Sequence, residues 1–222
     1  MTVDFKIIFV LAGGFILAHG QVPIPHRPLG FVYKNASHAA PIHLDVFFDL
    51  ACPDSKMAFP VMKQLADMYG DKTIKLKMLV FPLPYHRNAH FAAKATQAAY
   101  VNPLNGQSPD DAAVAWIQTA FTHQMKWSDS MTAQLNYDQT QSLIASYSEA
   151  LGYDAVAFKK LMSSMTSDQN ARVMWKYGCT RGVAGTPWFF VNGVYVGADG
   201  SWTVTQWKQV IDALLQGRNV NV

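Results

Sequence analysis

The sequence predicts an α/β fold in which a block of helices interrupts a mixed sheet, and three stretches carry that prediction. "IHLDVFFDL" (residues 42–50) and "TIKLKMLVF" (residues 73–81) are rich in strand formers and enclose a helical stretch, which makes a βαβ unit. From residue 88 onward the apolar period is helical for most of ninety residues. "PWFFVNGVYVG" (residues 187–197) then returns to strand, with Asn192-Gly193 marking a tight hairpin turn.

Each element has a local reason. Residues 42–50 are rich in strand formers and flanked by turn residues, as a buried strand should be. Pro53 stands where a helix tolerates proline, in its first turn. Ala58, Met62, Leu65 and Tyr69 fall at helical spacing and give that helix a core face, which Gly70 ends. Residues 73–81 alternate in their first half and form the second strand. Helices follow over residues 88–102, 110–125, 139–150 and 154–177, separated by "NPLNGQSPD", "KWSDSMTAQLNYD" and Gly152. The hairpin and a final helix, "TVTQWKQVIDALLQ", close the order as β-β-α.

The 222 residues suit one domain with an insertion, and half of them are hydrophobic, enough for a sizeable core. A net charge of +3 without a block of like charges argues against a nucleic-acid partner. The start of the chain reads as a processing segment. Lys6 precedes the apolar run "IIFVLAGGFILA", and Ala18-His19-Gly20 supplies small residues at a cleavage site. That run has the length of a signal-peptide core, the alternative being an uncleaved anchor. Cleavage near Gln21 removes Asp4 and Lys6 together, so the charge stays at +3. No second run is long enough to span a bilayer, so a product in the secretory pathway, secreted or lumenal and free of the membrane, is expected. Asn35-Ala36-Ser37 is an N-glycosylation acceptor, which fits that route. The layout is then residues 1–20 signal peptide, 21–40 extended segment, 41–87 with 178–222 the sheet domain, and 88–177 the helical insertion.

The chemistry concentrates in "LACPDSKMAFP" (residues 50–60), where Cys52-Pro53 opens the first helix after a strand. A helix N-terminus presents unpaired N–H groups and about half a positive charge, which favours a thiolate over a thiol. Ser55, in the same turn, offers a hydroxyl to that thiolate. Asp54 brings a carboxylate, which opposes ionisation of a neighbouring thiol while favouring the helix dipole.

Four features together resemble the thioredoxin superfamily, and more narrowly its DsbA-like branch, in which helices interrupt the thioredoxin fold. They are Cys52-Pro53 at the helix start, Pro60 eight residues later, "FPLPYHRNA" (residues 81–89) after the second strand, and "GVAGTPWFFVNG" (residues 182–193). The resemblance covers roughly residues 41–216 by order of elements. It implies a thioredoxin-like fold, a central mixed sheet flanked by helices, with an inserted all-α domain. It also implies that Thr186 and Pro187 form a cis-proline loop facing Cys52, offering backbone groups to a bound peptide, with Trp188 bordering the groove.

The sequence departs from that family where a dithiol needs its second sulfur. Ser55 stands at the resolving position, so the site cannot close its own disulfide. The family's buried acid, six residues before the cysteine, is replaced by Val46, and Asp45 and Asp49 flank that place. A monothiol still attacks disulfides and forms mixed disulfides that an outside thiol releases. The expectation is therefore thiol–disulfide exchange through Cys52, by disulfide shuffling or with glutathione as co-substrate and no resident cofactor, on cysteine-containing proteins or peptides. The alternatives are a non-catalytic peptide-binding or chaperone-like domain and a kappa-type glutathione transferase.

Other residues read as structural. Cys179 is expected to be a buried free thiol. His86 and His90 lie four apart without a third ligand nearby, so no metal site is expected. Met57, Met62, Met68 and Met78 read as core filler, and Trp116, Trp127 and Trp175 as core or inter-domain packing.

Overall fold

A computed structural model describes residues 24–104 and 106–220. The signal-peptide reading of residues 1–20 lies outside the described residues. The chain forms β1 (Phe31–Val32), β2 (Ile42–Phe48), α1 (Pro53–Tyr69) and β3 (Ile74–Val80). The inserted helices follow as α2 (Ala89–Val101), α3 (Pro109–His123), α4 (Tyr137–Ser146), α5 (Ala155–Met162) and α6 (Met165–Thr180). The chain closes with β4 (Trp188–Val191), β5 (Val194–Val196) and α7 (Val204–Leu215). The mixed sheet has the order β1-β3-β2-β4-β5, with β2 and β3 parallel and the other pairs antiparallel. This is a thioredoxin-like fold with a helical insertion.

Helix boundaries follow capping chemistry more closely than hydrophobic period. Asn136 and Gln139 form a reciprocal capping box, which starts α4 at Tyr137 rather than at 139. The single helix expected over 154–177 is two helices. Ser164 caps α6 by accepting the Ser167 N–H at 3.2 Å, which ends α5 two residues earlier. Within the extended segment, Phe31–Val32 pairs with Met78 and Lys77 as an edge strand too short to show a period.

β3 is largely buried on both faces, whereas β2 is so only from Val46 onward, its alternating first half leaving His43 exposed and Asp45 partly exposed. Against one face, Trp207 of α7 meets Phe189 of β4 at 4.9 Å between ring centroids. Phe121 of α3 reaches Phe48 of β2 and Phe59 of α1 at 5.9 and 5.1 Å, so the insertion shares the sheet domain's core. α6 lies directly on Phe81 and Phe47. A Cβ at Gly178 would fall 2.5 Å from Phe81 Cδ2 and 3.2 Å from Phe47 Cε1. Gly178→Ala should therefore destabilise the protein by about 1–3 kcal/mol through overpacking, despite alanine's better helix propensity. A thermal melt unchanged or raised by that substitution would contradict this packing.

Not every residue assigned to the core is there. Met62 and Met78 are buried, but Met57 and Met68 are about half exposed. Trp116 and Trp127 are buried, whereas Trp175 stacks on Phe81 at the surface. Cys179 is exposed rather than buried. The buried face of α6 is set by Ala171, Met174 and Gly178, and residue 179 lies about 100° around the helix from that stripe.

Candidate active site

Strand pairing brings the site together. Phe47, next to last in β2, lies opposite Trp188, the first residue of β4. The turn after β2 therefore lies beside the loop before β4, and those two segments carry Cys52 and Thr186-Pro187. The Thr186–Pro187 peptide is cis. The Cys52 thiol donates to the Thr186 carbonyl at 3.3 Å.

Cys52 is the N-cap of α1, with extended backbone (φ −78°, ψ 126°) and Pro53 following at the first helical position. Its sulfur makes no capping bond to the helix, so the thiol is not occupied in holding its own turn. The residue is only 5% exposed. Ser55 is fully buried one turn in, and its Oγ accepts the Asp49 N–H at 3.2 Å. Asp54 is exposed, and Gly200 lies against it, where a Cβ would meet the Asp54 carbonyl oxygen at 2.7 Å. Pro53 is exposed, Pro187 is buried, and Trp188 is half-buried with its ring stacked on Tyr195 at 4.4 Å. The Thr186 hydroxyl is buried and has no hydrogen-bond partner among the described residues.

Two side chains that the sequence did not bring to the site hold it from outside. Gln124, buried just after α3, donates from Nε2 to the carbonyls of both Leu50 and Cys52 at 2.9 Å. No local pattern marks it, because its partners lie more than seventy residues away. Asp49, read from the sequence only as one of two acids flanking Val46, is fully buried just after β2. Burial pushes its carboxyl above the usual range, while hydrogen bonds from the Ala51 N–H, His86 and the Leu83 N–H hold it back. Val46, at the family's acid position, packs in the sheet between Met78 and Phe189.

The two histidines do not converge on a common point. His86 Nδ1 pairs with Asp49 Oδ2 at 2.6 Å, and His90 Nε2 with Asp168 Oδ1 at 3.0 Å. Cys179, at the C-terminal end of α6, makes no disulfide with Cys52, and desolvation pushes its thiol above the ordinary value. Asn35 is exposed in a short 3₁₀ turn at φ 54°.

A family model described as the DsbA-like thioredoxin domain matches residues 43–212. The chain belongs to that family. Among solved structures, this DsbA-like protein is similar to Wolbachia pipientis α-DsbA1, with a TM-score of 0.66 at 16% identity, over 88% of this chain and 94% of that one. Bacillus subtilis BdbD in its oxidised form matches with a TM-score of 0.64 at 16% identity, over 85% and 94%. Pseudomonas aeruginosa DsbA2 gives 0.61 at 19% identity, over 86% and 97%. At these identities the likeness is one of fold. No curated protein matches the sequence of this DsbA-like chain. Among its described residues, no helix is long and apolar enough to cross a membrane.

Proposed function

We propose that this protein performs monothiol thiol–disulfide exchange through Cys52 on cysteine-containing proteins or peptides, within or beyond the secretory pathway. One observation carries the reading: a thiol at a helix N-terminus, free of any capping bond, donates at 3.3 Å to the carbonyl of the loop residue before the cis-proline. A peptide strand laid along Thr186, Pro187 and Trp188 would bring a disulfide to that sulfur.

The step balances without an external oxidant. The Cys52 thiolate attacks one sulfur of the substrate disulfide, a new S–S bond forms, and the second substrate sulfur leaves as a thiolate that takes a proton from water. The mixed disulfide is resolved by another substrate thiol, which completes a shuffle, or by glutathione. Ser55 lacks the sulfur that would let the site oxidise a substrate alone. The signal-like run over residues 7–18 and the exposed acceptor Asn35 support passage through a secretory route. Enzymatic deglycosylation of the protein recovered from medium should remove mass that Asn35→Gln lacks from the outset.

The low exposure of Cys52 favours a second reading, a peptide-binding domain that keeps the groove without the chemistry. Intact-mass measurement after incubation with glutathione disulfide separates the two. In a Cys179→Ala background we expect a single glutathione adduct, absent in Cys52→Ala and reversed by reduced glutathione. Absence of the adduct, with retained binding of cysteine-free peptides, would replace exchange by binding.

A further inference from the structure

Asp49 spends every hydrogen-bonding group it has on the Cys52 turn or on the segment after β3. Its N–H donates to Ser55 Oγ at 3.2 Å, and its carbonyl accepts the Cys52 N–H at 3.1 Å. Oδ1 accepts the Ala51 N–H at 2.8 Å, and Oδ2 accepts the Leu83 N–H at 3.0 Å. His86 Nδ1 lies 2.6 Å from the same Oδ2, and a carboxylate there assigns the ring proton to Nδ1. A buried carboxylate persists only where its lone pairs are filled. His86 is the one side-chain donor in the set, and its own side chain is 23% exposed.

Resting on the exchange reading above, we propose that Asp49 and His86 are a positioning pair for Cys52. They clamp the turn after β2 to the segment after β3, and so hold the sulfur in register with the Thr186–Trp188 edge. Neither residue touches the substrate. The pair supplies a buried acid beside the turn from three residues before Cys52, where Val46 leaves none at the sixth. If His86 is lost, Oδ2 keeps only the Leu83 N–H, and the turn that Oδ1 holds is free to shift. A displacement of about 1 Å at a reacting group can cost on the order of a hundredfold in rate.

The test compares two reagents on Cys52 in the Cys179→Ala background. Iodoacetamide needs an accessible thiolate but no register with the loop. A peptide whose cysteine carries a mixed disulfide with mercaptoethanol also needs the sulfur in register with the loop; attack at the peptide sulfur joins it to Cys52 and releases mercaptoethanol. His86→Ala and Asp49→Ala should lower the peptide rate at least tenfold relative to the iodoacetamide rate, and His86→Asn, whose amide can donate to Oδ2, should recover most of the loss. General loosening of the fold would move both rates together. An unchanged ratio in His86→Ala overturns the proposal. Should the unsubstituted site show no preference for the peptide beyond that of free cysteine, the exchange reading fails instead. Amide hydrogen exchange then decides on the pair alone: a tenfold loss of protection at Ala51 and Cys52 in His86→Ala upholds the clamp, and unchanged protection removes it.

Discussion

Ser55→Cys should turn the site into a dithiol that closes on itself. Ser55 is fully buried one helical turn from Cys52, in a place substrate cannot reach, so a sulfur there would attack only from inside. Residues three apart on a helix have Cβ atoms about 5–6 Å apart, and a disulfide needs roughly 3.5–4.5 Å. The turn must tighten by about an ångström, and Cys52 has the freedom to do so because it sits at the N-cap with extended backbone rather than inside the helix. The larger sulfur weakens the bond from the Asp49 N–H without removing it, since sulfur accepts hydrogen bonds weakly. Well-oriented intramolecular groups reach effective molarities of about 10⁵ M. Even a small fraction of that exceeds millimolar glutathione, so release of a mixed disulfide from Cys52 should accelerate at least a hundredfold and become independent of added thiol. Intact mass should show loss of two hydrogens after oxidation. In a Cys179→Ala background, a glutathione adduct that persists on Cys52 while the new thiol stays free would show that the turn cannot close, and the site would then be monothiol by geometry as well as by composition.

The parts legible in the sequence are those set by local chemistry. The βαβ order follows from apolar period, the start of α1 from Pro53, and the hairpin from Asn192-Gly193. The position of Thr186-Pro187 against Cys52 was legible only through family resemblance, because strand pairing between Phe47 and Trp188 spans most of the chain. The supports of the Cys52 turn were not legible at all in one case and barely in the other. Gln124 reads as any polar residue after a helix, and Asp49 as a strand-end acid, until packing joins each to its partners. Cys179 is a different kind of miss. The spacing of Ala171, Met174 and Gly178 already defined the buried stripe of α6, and applying it would have placed the thiol outside.

Gln124→Glu should cost roughly 3 kcal/mol at pH 8 and much less near pH 4, with the Cys52 turn as the part that yields. The substitution keeps size and shape but replaces the Nε2 donor by an oxygen facing the carbonyls of Leu50 and Cys52. The Cys52 carbonyl retains the Lys56 N–H at 3.1 Å, so the Leu50 carbonyl bears most of the loss. A carboxyl so placed can donate one bond only while protonated, and both burial and facing carbonyls raise its folded-state pKa above the unfolded value of about 4.3. A raised pKa fixes the sign. Between the two values the folded state binds more protons than the unfolded state, so stability is fully present below the unfolded pKa and is lost as pH rises through the folded one. Gln124→Leu separates this from simple loss of the bonds: it should cost about 2 kcal/mol at either pH, mainly for one unsatisfied buried carbonyl. Denaturant melts of the three proteins at both pH values decide the matter. Parallel losses for Gln124→Glu at pH 4 and pH 8 would mean that packing at the end of α3, rather than donation to the two carbonyls, ties the helical insertion to the thiol turn.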